Sequence, residues 1–258
     1  MEAGSQSLER GLAILSAFRP AVPELGISDL ARSLDLSRST AHRYVATLAR
    51  LGYLEQNEQT RKYRLGPRVL DLGFSAINSM ELRQISSPHL QQLSDETGHT
   101  VNMAILDGAD IVYIERCRTS QQGQRQIDLD LHVGSRLPAY CTSMGKVLLA
   151  FLPERARSQV LERVHLVDRG PNTITSKREL VAELERVRRL RLGVNNEELA
   201  YGLRSIAVPV CDYTGDAVAA INLAVHRSAA SIDDLVERLS PALTRTAAEI
   251  SARLGYRA

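Results

Sequence analysis

Tryptophan is absent, phenylalanine occurs three times, and aromatic residues make up only 4% of the 258 positions. Packing must therefore rest on Leu, Val, Ile and Ala, and a hydrophobic fraction of 44% is enough to build it. Cysteine is nearly missing too. Cys117, Cys141 and Cys211 are odd in number, widely spaced and outside any C-x-x-C pair, which suggests no disulfide framework and fits a reducing compartment. Long apolar runs are lacking, and none approaches the roughly 20 residues of a membrane span. The opening Met1-Glu2-Ala3-Gly4-Ser5 has neither the basic flank nor the apolar stretch of a secretory signal. A cytoplasmic protein without membrane contact is expected. Phosphate loops, G-x-G-x-x-G and H-E-x-x-H are all missing, and His89, His99, His132, His165 and His226 lie far apart. No cofactor and no metal are expected.

Net charge is only +2, so the chain as a whole does not announce a polyanionic partner. The local balance differs. Residues 36–64 hold six Arg and Lys (38, 43, 50, 61, 62, 64) against Glu55 and Glu58. Charge gathered in one short segment of a near-neutral chain suits phosphate contact, and equally suits a solvated face.

The order of elements favours the first reading. Leu8, Leu12, Leu15 and Phe18 recur at helical spacing over residues 7–18, and Pro20 and Pro23 close that helix. A short helix follows over 28–34, with Ser28 as N-cap, and Ser37 caps a longer one that Gly52 stops. On this third helix Ala41, Val45 and Leu48 share an inward face. Ser39, Arg43, Ala46 and Arg50 lie opposite, flanked by Thr40, His42 and Thr47. Small, hydroxylated and basic residues are what a major groove accepts. Residues 53–56 and 61–65 around a polar turn predict a hairpin, or wing, with basic residues on its second side. A winged helix-turn-helix is expected, with Ser37, Arg38, Ser39, Thr40, His42, Arg43, Thr47, Arg50, Arg61 and Lys62 facing double-stranded DNA.

At this point the chain resembles the IclR family of transcriptional regulators. The matching stretches begin with Ser7-Leu8-Glu9-Arg10-Gly11-Leu12, Asp29-Leu30-Ala31, Ser37-Arg38-Ser39-Thr40-Ala41-His42-Arg43 and Leu51-Gly52-Tyr53-Leu54. They continue with Gly134-Ser135-Arg136-Leu137-Pro138, Gly145-Lys146-Val147-Leu148 and Gly202-Leu203-Arg204-Ser205. Tyr140-Cys141-Thr142-Ser143-Met144-Gly145 is most similar to the PcaR/PcaU/PobR-like branch, which governs aromatic-acid breakdown through the β-ketoadipate pathway. The resemblance implies operator binding as a homodimer or tetramer, and a GAF-like sensor with a central antiparallel sheet. It also implies a small organic acid effector such as protocatechuate or β-ketoadipate.

The domain plan expected is a DNA-binding domain over 1–66, a linker helix over 67–81 and an α+β sensor over 82–258. In the sensor, strands are expected at 99–106, 111–117, 125–133, 205–211 and 217–225. Helices are expected at 82–97, 142–151, 154–164, 176–192 and 232–254. Carried over from the family, the effector cavity takes Gln126, Leu129, Leu137, Ser143, Met144, Asn195, Leu203 and Ser205. Arg136 and Arg204 either meet a carboxylate there or form structural ion pairs. Ser143-Met144-Gly145-Lys146 also matches S-x-x-K, but its companions S-D-N and K-T-G are missing, so catalysis by Ser143 and Lys146 is the lesser alternative. A regulator of another carbon pathway, sensing a different carboxylate, is a second alternative. A sensor-like domain that only oligomerises is a third.

Overall fold

A computed structural model describes residues 5–19, 21–78, 80–118 and 131–257. The chain divides into two compact units, Met1–Ser79 and Met80–Ala258.

The first unit holds α1 (Gln6–Ser16), α2 (Ile27–Ser33), α3 (Arg38–Arg50), β1 (Leu54–Gln56), β2 (Tyr63–Leu65) and α4 (Arg68–Asn78). Ile14, Phe18, Leu30, Val45, Leu54 and Tyr63 form its core. Each fully buried aliphatic among them contributes about 1.5–3 kcal/mol. Ser37 caps α3 as expected, its Oγ accepting from the Thr40 N–H at 3.1 Å. Ser28 does not cap α2. The cap is Gly26, whose N–H donates to the Asp29 carboxylate at 3.2 Å. Gly52, at φ +79°, ends the α3 turn in the left-handed region that glycine enters without strain. The strands pair antiparallel with Leu54 opposite Leu65, and the Asn57 carboxamide closes their turn by accepting from the N–H groups of Gln59 and Thr60.

The second unit is a helix–sheet–helix sandwich. Its elements are α5 (Glu81–Thr97), β3 (Thr100–Asp107), β4 (Asp110–Cys117), β5 (Arg136–Pro138), α6 (Ser143–Phe151), α7 (Glu154–Arg163), α8 (Lys177–Leu190), β6 (Gly193–Asn196), β7 (Leu203–Cys211) and β8 (Ala217–His226). It ends with α9 (Ile232–Asp234), a π-helical stretch Leu235–Leu239 and α10 (Ser240–Arg253). All six strands are antiparallel in the order β5-β4-β3-β8-β7-β6. One face of the sheet packs on Leu90 and Leu93 of α5 and Leu243, Ala247 and Ile250 of α10. The other packs on α6, with Leu180, Leu184 and Val187 of α8 behind it. The α+β expectation is borne out.

Two features of this sheet decide where side chains point. Helix α6 lies very close to it: a Cβ on Gly193 would overlap Ser143 O and Val147 Cγ2, and one on Gly145 would strike the Ala139 backbone. Only glycine fits at either place. The second feature is a bulge. Met103 pairs with Glu115 but Ala104 pairs with Tyr113, so Ile114 is an extra residue in β4. A bulge reverses the inward–outward alternation beyond it. Ile111 and Tyr113 face α6, but after the bulge Arg116 does so instead of Glu115.

The strand expected at 125–133 falls largely outside the described residues, and 131–133 are not strand. Edge strands β5 and β6 were not expected, being three and four residues long and carrying Pro138 and the Asn195-Asn196 pair. Edge strands tolerate such residues because one side of their backbone needs no partner strand.

Candidate functional site

On α3, Ala41 and Val45 are fully buried and Leu48 packs beside them. Arg38, Ser39, His42, Arg43, Ala46, Thr47 and Arg50 are exposed, and Thr40 is half-buried. Hydroxyl groups order the first turn. Ser37 Oγ lies 2.8 Å from Thr40 Oγ1 and 3.0 Å from Ser39 Oγ. Thr47 Oγ1 donates to Arg43 O at 2.9 Å and keeps its acceptor capacity. None of Arg38, Arg43 and Arg50 forms an ion pair among the described residues. Arg61 and Lys62 are exposed in the turn between β1 and β2 rather than in the second strand, and Arg61 holds φ +59°. The basic residue inside β2 is Arg64, which is paired with Glu55 at 3.0 Å. Glu24 braces the same turn, accepting from Asn57 and Thr60, and these bonds hold its carboxyl below the ordinary value.

In the second unit the α6 face gathers most of the carried-over residues. Ser143 and Ser205 are buried with their hydroxyls 2.7 Å apart. Asn195 pairs with Ser205 across the strands, and its side-chain oxygen accepts from the Glu198 N–H at 2.9 Å. Met144 and Leu203 are buried in the same cluster, and Leu137 packs against it. Gln126 and Leu129 lie outside the described residues.

Arg136 and Arg204 do not join this group. Arg136 pairs with Val112, so it points away from the face that Leu137 and Ile111 share. Its guanidinium bridges Asp107 at 2.8 Å and Asp110 at 3.6 Å. Arg204 alternates with Ser205 and so faces the other side of the sheet. There it donates to Asn196 Oδ1 and Ala230 O, both at 3.0 Å, and lies 3.7 Å from Glu197. Both arginines thus engage groups of the chain itself on the side of the sheet away from α6.

Lys146 is structural. One turn along α6 from Ser143 and only 1% exposed, its ammonium lies 2.6 Å from Glu198 and 3.2 Å from Glu183. Burial pushes the Glu198 carboxyl up, against the pull of that ammonium. Burial also pushes Glu183 up, but bonds from Arg186 and the charge of Lys146 outweigh it and hold it below the ordinary value. An ammonium engaged by two carboxylates has no lone pair to offer Ser143, whose partner is another hydroxyl. The S-x-x-K alternative fails on this geometry.

One polar row on the α6 face was missed. Arg116, Asn102, Asn222 and Ala207 lie abreast across β4, β3, β8 and β7. Arg116 Nη1 donates to Asn102 Oδ1 at 3.0 Å, and Asn102 Nδ2 donates to Asn222 Oδ1 at 2.7 Å. The available signal was a lone Asn between apolar neighbours in two strands, Val101-Asn102-Met103 and Ile221-Asn222-Leu223. The bulge concealed Arg116. A separate recess of about 300 Å³, between the β3–β4 turn and α7, is lined by Leu106, Leu152, Val160 and Arg163 among others and shares no residue with this group.

The model of the IclR helix-turn-helix domain matches residues 7–58, and that of the bacterial transcriptional regulator IclR C-terminal domain matches residues 74–252. The chain belongs to the IclR family. It is 37% identical over 248 residues to the Pca regulon regulatory protein of Pseudomonas putida, covering 96% of this chain and 84% of that one. It is 34% identical over 252 residues to the regulator XynR of Escherichia coli, covering 97% and 98%. Among solved structures, a protein of Rhodococcus sp. RHA1 described as a transcriptional regulator superposes with a TM-score of 0.82 at 39% identity, covering 97% and 98%. An IclR homologue of Microbacterium hydrocarbonoxydans complexed with 4-hydroxybenzoate gives 0.80 at 26% identity, covering 96% and 99%. This IclR-family chain is thus a DNA-binding transcriptional regulator, and not an enzyme. No helix among its described residues is long and apolar enough to cross a membrane.

Proposed function

We propose that α3 and the β1–β2 turn contact operator DNA, and that the second unit adjusts this binding in response to a small aromatic or dicarboxylic acid. The observation that carries the DNA contact is the outward face of α3, where Arg38, Arg43 and Arg50 have no acidic partner among the described residues. Guanidinium groups so placed meet phosphates, and one of them can fork onto a guanine edge. Ser37, Ser39, Thr40, His42 and Thr47 supply close contacts around them, and Arg61 and Lys62 reach the adjacent backbone.

A palindromic site calls for two copies of α3. Leu8 and Leu12 on α1, and Leu70, Leu72 and Phe74 on α4, are all more than half exposed. Apolar patches of this kind on a soluble domain mark an association surface, and a homodimer or a tetramer of two dimers would cover them. Half-sites about 10 bp apart, or a multiple of that, follow from the helical repeat.

For the effector, the support is the group formed by Ser143, Met144, Asn195, Leu203 and Ser205, together with the Pca regulator and the 4-hydroxybenzoate complex among the similar proteins. Control of aromatic-compound breakdown through the β-ketoadipate pathway is the reading this favours. A different carbon pathway with another carboxylate is the second reading, because the chain is almost as similar to XynR, at 34% identity, as to the Pca regulator, at 37%.

Thermal melting of the full chain with protocatechuate, 4-hydroxybenzoate, β-ketoadipate, muconate, glyoxylate and pyruvate tests the sensor. An effector at about 100 times its Kd should raise Tm by roughly 5–10 °C. A panel without any shift removes the acid-sensing reading and leaves a domain that only oligomerises.

A further inference from the structure

Arg116 differs from the other arginines of the sheet. Among the described residues its guanidinium meets only the neutral Asn102, and its Nε is buried with no hydrogen-bond partner. The acid beside it in sequence cannot neutralise it. Glu115 faces the opposite side of the sheet, with Arg83 at 3.1 Å. The charge Arg116 feels most is that of another cation, Arg118; burial first and this repulsion second press its pKa down. By contrast, Arg136 and Arg204 each have a carboxylate at hand. Among the described residues Arg116 has no counter-ion, and a half-buried cation with an unmet donor costs free energy unless something supplies the missing charge.

The row holding Arg116 lies beside the row of Asn195, Ser205, Ala224 and Thr100 on the same face. The guanidinium sits over β3, and the Ser143–Ser205 hydroxyl pair sits over β7. Two strand spacings and one pleat repeat separate them, about 12 Å. Between them β8 presents Asn222 and Ala224, and β7 presents Ala207 beside Asn222. One end is thus a fork-shaped cation, and the other a pair of hydroxyls with donor and acceptor capacity left over.

We propose that Arg116 is the group that binds the carboxylate of the effector, and that the Ser143–Ser205 pair holds a second polar oxygen at the ligand's far end. The ligand class is a single small ring or short chain bearing a carboxylate and an opposed oxygen. This rests on the reading that the second unit senses a small acid, and it names the residue that selects for charge.

Calorimetric titration of the full chain with 4-hydroxybenzoate and protocatechuate, and with the primary amide of each, tests the assignment. Wild type should bind an acid about 10- to 100-fold more tightly than its amide. Arg116→Gln should weaken the acid by a similar factor and leave the amide unchanged, while Arg116→Lys should fall between. Equal binding of the acid to wild type and Arg116→Gln overturns the assignment and leaves acid sensing intact. Should Arg116→Gln not fold, the acid-against-amide comparison on wild type decides, and equal affinities overturn the assignment. If wild type binds neither acid the assignment also fails, and the melting panel tells whether acid sensing falls with it.

Discussion

Helices α3 and α6 begin alike and end in opposite environments. Each opens with a capping hydroxyl, Ser37 or Thr142, and each carries serine and a basic residue in its first turns. On α3 the cations stand in solvent with no acidic partner among the described residues. On α6 eight consecutive residues from Ser143 to Ala150 are buried, and its one cation, Lys146, is held by two carboxylates. A charge that the fold neutralises is part of the fold; one left unneutralised is available to a partner. Arg116 is the informative middle case, half-buried like a structural residue and, among the described residues, without an acidic partner like a recognition residue.

Breaking the buried pair should give the largest effect. Lys146→Met leaves Glu198 buried without its counter-charge and should cost about 3–5 kcal/mol in the denaturant unfolding of the full chain. A cost under 1 kcal/mol would mean that the ammonium does not hold α6 to its neighbours. Arg204→Ala removes bonds to Asn196 and Ala230, and should lower stability by about 1–3 kcal/mol while leaving effector affinity unchanged. A selective loss of effector affinity would instead return Arg204 to the cavity. On the first unit, Lys62→Ala should weaken binding to every DNA sequence alike and reduce the salt slope by about 1, with Tm unmoved.

The smallest effect concerns the thiols. Burial pushes Cys117 and Cys141 up to about 11. Both should resist alkylation near pH 8 in the folded protein and react on unfolding. Because the fold favours the neutral thiol, its stability should decline as pH rises from about 9 towards 11. Rapid labelling of both in native protein at pH 8 would contradict their burial.

Much of this was legible in the sequence, for identifiable reasons. The α3 face followed from a 3.6-residue period, which Ala41 and Val45 obey without exception. The β3–β4 hairpin followed from alternation, and Val101, Met103 and Ile105 do share one face. Alternation also hid the most useful arginine, because nothing in Tyr113-Ile114-Glu115-Arg116 announces that Ile114 is the extra residue. The sides taken by Arg136 and Arg204 were set by cross-strand register, which depends on residues distant in sequence. Ser28 lost the cap of α2 to Gly26 because the Asp29 carboxylate reaches back to the Gly26 N–H.

The claim on which the regulator account depends is that α3 reads DNA through its outward face. Operator binding by wild type and Arg43→Ala, each measured beside unrelated DNA at one salt concentration, tests it most directly. The account predicts that the variant loses about 1–3 kcal/mol of specific binding, keeps its non-specific binding to within a few-fold, and melts with the wild type. Equal operator affinity in the two proteins would contradict it.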